Sequence, residues 1–430
     1  MSTLPIRRTI NHKITNRSKT ILNSATLNIP RRHKPDYWLL ISTITLMLVG
    51  LIVLYSIGPA LVITNGVNAN YFAIKQLIAV SLGLVAFFIA TRVPLIWWKT
   101  TYKPLLIFAA LTTLAAIVLP VNPNYPAHRW VRLGSFSFQS VEVVKFAVIV
   151  WIAGFLATKI KQGLIKNVRA VFIPLAIALL VMGVIIVGIQ SDLGSMGVIV
   201  AVMTAMAYVA GLPLKRIVLI AIAIAFLAVI AVVTSPYRLA RVETYLHPQS
   251  NCQGSGYQAR QSLISVGSGG LIGLGLGKSV QAYGYVPEAS NDSIFAIFSE
   301  KFGFIGAVIL VGIFVLLFNH LKNISERLED DFLRLIVIGV FTWLSTQTLI
   351  NIGSMIGLFP LKGITLPFIS YGGTSIVFSA AAVGLVFQIS RYTSGNVVML
   401  NEAKKGNNNE NFGNRRRIRG AYHSNTGRRG

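Results

Sequence analysis

Asp292 is the residue of this sequence that is best placed to do chemistry. It lies in the stretch from Tyr285 to Gly306, where a loop rich in Gly, Gln and Tyr gives way to a long apolar run. A carboxylate at a membrane boundary is costly unless it is paired or used. Asp292 is therefore the first candidate for a catalytic group. The alternative is that it only caps the N-terminus of the apolar helix that follows.

Other charged residues lie inside apolar segments. Glu142 and Lys145 are three residues apart, a spacing that places two side chains on one helix face. They either neutralise each other in a buried pair or line a wet cavity that faces the outer leaflet, because intramembrane charges rarely face lipid. Asp192 is likewise interpreted as a residue that lines the cavity, and the alternative is that it is a helix N-cap. Glu300 is interpreted as a solvated or paired residue of its apolar segment.

Composition predicts an all-α integral membrane protein. Of the 430 residues, 54% are hydrophobic and 12% are charged, whereas charged residues make up about a quarter of a soluble domain. The apolar residues form blocks of about 18 to 25, the length that crosses a bilayer as a helix. We therefore predict about ten transmembrane helices. The ten blocks are 37–57, 72–91, 104–121, 140–157, 171–188, 193–211, 215–234, 294–318, 332–355 and 373–390.

Basic residues set the predicted orientation. Residues 1–36 contain eight Lys/Arg and one Asp, and the chain after Ser390 contains nine Lys/Arg and two Glu. The positive-inside rule places both termini in the cytoplasm, which an even number of spans requires. We predict a membrane domain at 37–391 between two basic, disordered cytoplasmic tails, the second at 392–430. The longest extracellular loop is predicted at 235–293, with short helices at the outer interface.

The net charge of +26 does not predict a nucleic-acid partner. Most of it lies in the tails and cytoplasmic loops, where topology and attraction to anionic membrane lipid account for it. The first 36 residues lack the apolar core of a signal peptide, and the single cysteine, Cys252, cannot form an internal disulfide. The run Gly267–Gly277 does not end like a phosphate-binding loop, so its glycines are interpreted as permitting close packing.

Ordered motifs run through nearly all of the predicted membrane domain. They are Arg129-Trp130, Gln139 to Lys145, Gln190 to Gly194, Tyr237 to Arg241, Gly256 to Gln258, Gln261-Ser262, Pro287-Glu288 with Asp292, Asn351 to Gly353, Gly357 to Pro360, and Gly363 to Ser375. The set resembles the SEDS family, the FtsW, RodA and SpoVE group of polytopic peptidoglycan glycosyltransferases. The last block is the longest and the most specific.

The resemblance implies an enzyme that polymerises lipid II, a disaccharide peptide carried on undecaprenyl pyrophosphate, at the outer face of the bacterial cytoplasmic membrane. Asp292 is the expected general base, which takes a proton from the attacking sugar hydroxyl as the pyrophosphate leaves. No second catalytic carboxylate is evident, so inversion at the anomeric carbon is expected. Substrate-binding or cavity residues are expected at Glu142, Lys145, Arg129, Trp130, Asp192, Gln258, Ser262, Glu288, Ser370, Gly372 and Gly373.

The resemblance also implies a divalent cation, Mg²⁺ or Mn²⁺, with Asp292 or Glu142 as the candidate ligand. Lys145 or Arg129 could also screen the pyrophosphate. The implied protein partners are a class B penicillin-binding protein, which is a transpeptidase, and other membrane proteins of the divisome. Lys362, Thr365 and the basic N-terminal tail favour the FtsW-like branch and a place at the division septum.

The chain departs from the family pattern beside its candidate residues. Ser140 and Ser191 stand where the family usually has proline, and Ser290-Asn291 replace the His-Thr that usually precedes the acid at 292. Three alternatives stay open. They are an elongation-type, RodA-like polymerase, a non-catalytic scaffold for the transpeptidase, and a lipid II flippase, since polar residues inside spans also mark transport paths.

Overall fold

The chain folds almost entirely into helices. The computed structural model describes residues 33–65, 68, 70–119, 128–133, 136–246 and 256–393. The helices are α1 (Tyr37–Asn65), α2 (Tyr71–Arg92), α3 (Leu95–Thr100), α4 (Tyr102–Val118), α5 (Ser140–Lys161), α6 (Ile173–Gly183), α7 (Leu193–Val209), α8 (Leu214–Val233), α9 (Pro236–Leu246), α10 (Tyr257–Ser268), α11 (Ile294–Glu326), α12 (Asp331–Met355) and α13 (Gly373–Ile389). Turns of π-helix, Val168–Phe172 and Val184–Ile189, flank α6 and extend it to one span.

Residues 35–390 form one unit, which contains all of these helices. Outside this unit the structure describes only short pieces of chain, in which the His33 amide donates a hydrogen bond to the Arg391 carbonyl at 2.9 Å. The predicted tails, 1–36 and 392–430, lie almost wholly outside the described residues, as does Cys252.

The prediction of about ten membrane helices is confirmed. In the described part of the chain, eight helices have the length and hydropathy to cross a membrane, and two shorter apolar helices, α4 and α7, accompany them. Each of the ten coincides with one predicted block. Helices predominate because a helix satisfies its own backbone hydrogen bonds where no water can.

Burial divides the spans into an inner and an outer set. In α5 and α13, 72% and 78% of the apolar window is buried inside the protein, against 17% in the span built on α6 and 6% in α8. The two outer spans are the most apolar of the eight. Polar and small residues therefore collect in the inner helices, where protein rather than lipid surrounds them.

One element departs from the all-α prediction. Two four-residue strands, β1 (Trp130–Leu133) and β2 (Phe136–Gln139), pair antiparallel directly before α5. In their register Trp130 faces Gln139. Strands this short carry too few residues for an alternating pattern to be read from sequence.

The long helix α11 is broken at Gly303, whose φ is 68° and ψ is −168°. The break removes hydrogen bonds from two carbonyls and two amides of the helix. The glycine-rich segment Gly270–Gly275 lies alongside and supplies a partner to each, which satisfies the backbone without water. The four bonds run from Leu274 N to Glu300 O (2.9 Å), Gly275 N to Lys301 O (3.0 Å), Phe304 N to Gly270 O (2.9 Å) and Ile305 N to Leu271 O (3.0 Å).

We expect Gly273→Ala to destabilise the protein. Gly273 has a φ of 82°, and a β-carbon there would lie 2.2 Å from the carbonyl oxygen of Lys301. The left-handed conformation and the clash together predict a loss of roughly 1–3 kcal/mol, measured by thermal unfolding in detergent. Gly277→Ala is the matched control, because no atom lies within 4 Å of its β-carbon position. Equal melting temperatures for the two variants would contradict this account of the segment.

Candidate active site

The candidate residues gather at one end of the bundle. Helices α5, α7, α11 and α13 all begin there, and α12 ends there. Hydrogen bonds join these helix ends: Gln190 to Ser140 at 2.9 Å, Gln139 to Thr374 at 3.2 Å, and Asn351 to Asp292 at 2.8 Å. Helix N-termini carry partial positive charge, so this end of the bundle is suited to an anionic ligand.

Asp292 lies in the turn before α11, with its carboxylate close to the backbone of Gly363. A β-carbon at position 363 would lie 3.0 Å from Asp292 Oδ2. The N-cap of α11 is Ser293 and no side chain caps this helix, so the alternative that Asp292 serves as the cap is wrong. In the described part of the chain, the Asp292 carboxylate accepts no hydrogen bond, and the residue is half-buried rather than enclosed.

The surroundings of Asp292 favour its protonated form. Burial raises the pKa of Asp292 to about 7, and the negative charges of Glu288 and Asp192 add to this effect. The positive charges of Arg241 and Arg129 oppose it. A carboxylate with a pKa near neutrality can take up and release a proton at physiological pH, as a general base must.

Basic side chains from loops and from α9 collect around Asp292. Arg129 bonds the turn before α7, with Nε 2.8 Å from the carbonyl of Gln190 and Nη2 2.5 Å from that of Ser191. Arg241 donates from Nη1 to the carbonyl of Leu361 at 3.0 Å. Burial lowers the pKa of the neighbouring Lys362, and the positive charges of Arg241 and Arg238 lower it further.

Glu142 and Lys145 form an enclosed ion pair. Lys145 Nζ lies 2.7 Å from Glu142 Oε1, and both side chains are no more than 3% exposed. Lys145 also donates to Gln347 Oε1 at 2.8 Å and lies over the ring of Trp343. This geometry favours the mutually neutralising pair over the wet cavity. It leaves one buried oxygen, Glu142 Oε2, without a hydrogen-bond partner among the described residues.

Asp192 is the N-cap of α7. Its carboxylate accepts from the Ser195 amide at 3.0 Å and from the Ser195 hydroxyl at 2.9 Å. These are the contacts of a helix N-cap, which was the alternative given for Asp192. Its charge nevertheless acts on Asp292, as the raised pKa shows.

Three predicted residues surround the Asp292 turn from the outer loop. Gln258 donates to the hydroxyl of Ser293 at 3.2 Å, and Ser262 bonds back to the carbonyl of Gln258 within α10. Glu288 is exposed, has a φ of 52°, and accepts from Asn291 at 2.6 Å. These contacts fix the shape of the loop that carries Asp292.

The remaining predicted residues lie on β1 and before α13. Ser370 accepts from the amide of Leu366 and donates to the carbonyl of Asn291, both at 2.7 Å, so it ties this loop to the Asp292 turn. Gly372 is the N-cap of α13 and Gly373 its first residue. Trp130, on β1, is 37% exposed.

Glu300 is paired with backbone and hydroxyl groups rather than solvated. It is fully buried, and its carboxylate accepts from the Ser279 hydroxyl at 2.5 Å and from the amides of Val280 and Gln281 at 2.9 and 3.1 Å. Lys301 donates to the carbonyl of Leu276 at 2.7 Å. The two residues fasten the outer loop to α11.

The residues that sequence reasoning missed are Gly363, Gln347 and Asn351, which contact the candidate residues directly. Asn351 belongs to a motif noted above, but the motif gave it no role. Gln347 precedes it by one helical turn, so the two amides lie on one face of a membrane helix, and this spacing was the available signal. Arg241, whose positive charge acts on Asp292, belongs to the motif Tyr237 to Arg241, and that motif likewise gave it no role.

The metal prediction is only partly compatible with this geometry. Within the described ranges, no three His, Cys, Asp or Glu side chains could hold an ion together. Mg²⁺ usually needs only one or two carboxylates when substrate phosphates complete its shell. The open carboxylate of Asp292 fits that role, whereas Glu142 does not, because Lys145 occupies Oε1. The cation stays a prediction, and no step below depends on it.

Comparison with known proteins identifies the class. Residues 37–395 match the model of the Cell cycle protein family, the FtsW, RodA and SpoVE group. The chain is 36% identical to the probable peptidoglycan glycosyltransferase FtsW of Coxiella burnetii, over 83% of this chain and 96% of that protein. It is 35% identical to the stage V sporulation protein E of Bacillus subtilis, over 84% of this chain and 99% of that protein.

Solved structures share the fold. A chain from a peptidoglycan synthase complex that couples polymerisation and crosslinking aligns with a TM-score of 0.68 at 24% identity, over 83% of this chain and 98% of that one. The rod shape determining protein RodA of Thermus thermophilus aligns with a TM-score of 0.58 at 22% identity, over 83% and 97%. The protein is a multi-pass membrane protein that belongs to the FtsW/RodA/SpoVE family. Its FtsW relatives agree with the branch that the sequence favoured.

We expect Lys145→Met to destabilise the protein strongly, because it leaves Glu142 charged and unpaired inside the bundle. Removal of one partner of a buried pair costs about 3–5 kcal/mol. The double variant Glu142→Gln/Lys145→Met should recover most of that loss. Thermal unfolding in detergent measures both. A single variant as stable as the wild type would show that water reaches the pair and would restore the cavity interpretation.

Proposed function

We propose that this protein is a peptidoglycan glycosyltransferase that polymerises lipid II at the outer face of the bacterial cytoplasmic membrane. One observation carries the proposal: Asp292 places an open carboxylate with a pKa of about 7 at the end of the bundle where four helices begin. The names of the FtsW relatives supply the substrate class. Basic tails and loops support the assignment of that end to the outer face.

Asp292 acts as the general base. A hydroxyl oxygen of one saccharide attacks the anomeric carbon of another, and the bond from that carbon to the lipid pyrophosphate breaks. The hydroxyl proton passes to Asp292, and the lipid pyrophosphate leaves with the bonding electron pair. The protonated Asp292 then returns its proton to solvent. The attack inverts the anomeric carbon, as expected for a site that uses one carboxylate base and forms no covalent intermediate.

The leaving pyrophosphate needs its charge screened more than it needs a proton. Arg129, Arg241 and Lys362 suit this role, because Arg129 and Arg241 act on Asp292 and Lys362 is close to Arg241. Lys145, which was expected to share this work, is enclosed with Glu142 and Gln347 and does not reach the loops.

The cellular role proposed is septal wall synthesis. The FtsW relatives favour division over elongation. A class B penicillin-binding protein is the proposed transpeptidase partner, and the fold match to a peptidoglycan synthase complex supports a protein that works in such a pair. Contact with other divisome proteins and location at the septum follow from the same proposal. Reporter fusion imaging in dividing cells tests the location.

Asp292→Asn should abolish polymerisation without loss of stability. It removes the proton acceptor but keeps the side-chain shape, and loss of a general base costs about 100- to 10,000-fold in rate. Because burial raises the pKa of Asp292 from 3.8 to about 7, the folded state loses stability as the pH rises between these two values and keeps the full penalty at pH 8. The asparagine variant should therefore melt at the same or a higher temperature at pH 8. The measurements are glycan synthesis from labelled lipid II with the transpeptidase partner present, and thermal unfolding. Near-normal synthesis by this variant would refute the proposed base.

The rate should rise with pH through neutrality. A base with a pKa of about 7 gains ionised fraction by roughly tenfold from pH 6 to pH 8. Glu288→Gln removes a negative charge that raises the pKa of Asp292, so it should move the midpoint of the rate profile to lower pH by a fraction of a unit. Glu326→Gln, an exposed acid at the other end of α11, should leave the midpoint unchanged. A profile that is flat from pH 6 to pH 8 would contradict the assignment.

A further inference from the structure

Two amide side chains on α12 face the candidate site from within the bundle. Gln347 and Asn351 are one helical turn apart, and each is 1% exposed or less. A polar side chain is costly in the interior of a membrane protein unless it is hydrogen-bonded. Both N–H groups of each amide are bonded, and Gln347 Oε1 also has partners, whereas Asn351 Oδ1 has none among the described residues. The partners of these two amides therefore show what they hold in place.

Asn351 joins two segments that are far apart in sequence. Its Nδ2 donates to the carbonyl of Asp292 at 2.8 Å and to the carbonyl of Ile364 at 2.7 Å. Both of its N–H groups are used, so the amide bridges the turn before α11 and the loop before α13.

Gln347 holds the same loop one residue further on. Its Nε2 donates to the carbonyl and to the hydroxyl of Thr365, at 2.9 and 3.2 Å. Its Oε1 accepts from Lys145 Nζ and from Trp343 Nε1, both at 2.8 Å. Gln347 thus connects the buried ion pair to the loop that packs on Asp292.

That loop forms one wall of the Asp292 site. The backbone of Gly363 lies so close that a β-carbon there would be 3.0 Å from Asp292 Oδ2. The position of the loop therefore determines where the carboxylate can lie. Its own position depends on Asn351 at residue 364 and on Gln347 at residue 365.

We propose that Asn351 and Gln347 are positioning residues that keep Asp292 and the loop at Gly363 at a fixed distance and orientation to each other. Neither side chain touches the reacting atoms. The proposal rests on the proposed role of Asp292 as the base. It also gives the Glu142–Lys145 pair a function in the reaction, because Lys145 orients Gln347 and acts on the site only through it.

The first test uses a graded series at position 351. Asn351→Leu keeps the volume and removes both donors, and Asn351→Ser keeps one donor. Misplacement of a catalytic group by about 1 Å costs on the order of 100-fold in rate, so kcat for labelled lipid II should fall by roughly that factor in the leucine variant and by less in the serine variant. KM should change by less than about threefold, because Arg129 and Arg241, two of the cations that suit the pyrophosphate, lie before β1 and on α9, outside the loop that Asn351 holds.

Thr348→Val is the matched control. Thr348 is buried on the same helix, and its hydroxyl has no hydrogen-bond partner in the described part of the protein. The variant therefore perturbs the interior of α12 without touching the hydrogen bonds of Asn351 and Gln347, here called the clamp, and kcat should remain at the wild-type value. Equal losses in Thr348→Val and Asn351→Leu would show general disruption of α12 and would overturn the proposal.

The second test measures geometry without activity. In a Cys252→Ser background, Asp292→Cys and Gly363→Cys place two thiols close together, since a β-carbon at 363 lies 3.9 Å from Asp292 Cγ. Mild oxidation should form the disulfide rapidly. Asn351→Leu or Gln347→Met should slow its formation at least about tenfold, because disulfide geometry tolerates little displacement.

The outcomes separate the two proposals. Normal kcat in Asn351→Leu, or unchanged disulfide formation in both clamp variants, overturns the positioning role. An active Asp292→Asn protein refutes the base, yet the disulfide test still decides whether the clamp exists. If Asn351→Leu fails to insert, Asn351→Ser and Gln347→Met decide the question by the same two measurements.

Discussion

Water is absent from the hydrocarbon core, so each polar group placed there must find its partner within the protein. This constraint accounts for the most unusual parts of the structure. The break of α11 at Gly303 is possible because the segment Gly270–Gly275 bonds the four backbone groups that the break releases. The Glu142–Lys145 pair, likewise, is tolerated inside the bundle because the two charges lie 2.7 Å apart. At both places a second segment completes the hydrogen bonding: the glycine-rich segment at the break, and Gln347 of α12 at Lys145.

The same constraint concentrates polar residues at one end of the inner helices. The turn that carries Asp292 and the loop around Gly363 leave backbone groups that a regular helix would have satisfied, and both lie against the end of α12. Asn351, Gln347 and Ser370 satisfy them, and in doing so they join the three segments. A site with an unpaired carboxylate can exist at this end because these three side chains bond the backbone of the segments around it.

Sequence alone was sufficient for the spans, and it located Asp292 at the edge of one of them, but it did not predict the contacts between segments. Apolar blocks predict membrane helices because bilayer thickness fixes their length, and an acid at the edge of such a block is conspicuous. The bond of Lys145 to Gln347 joins residues 202 positions apart, and no local pattern encodes a pairing across that distance. This is why Lys145 was expected to meet the pyrophosphate and Gln347 was not considered at all. The hairpin before α5 was missed because its strands have only four residues each.

The residues that hold Asp292 in place follow it in the chain, and this order has a consequence for folding during synthesis. Asp292 is synthesised before Asn351, Gly363 and Ser370, the residues that fix its position. The outer loop that precedes Asp292 likewise depends on later residues, because it makes hydrogen bonds to residues 300–305 of α11. During synthesis, therefore, α11 can enter the membrane while the turn at 292 still lacks its supports. The site takes its shape only when α12 and α13 have joined the bundle. A chain cut short within α12 would keep most of its spans and the acid itself, yet it would not have the loop that gives the acid its position.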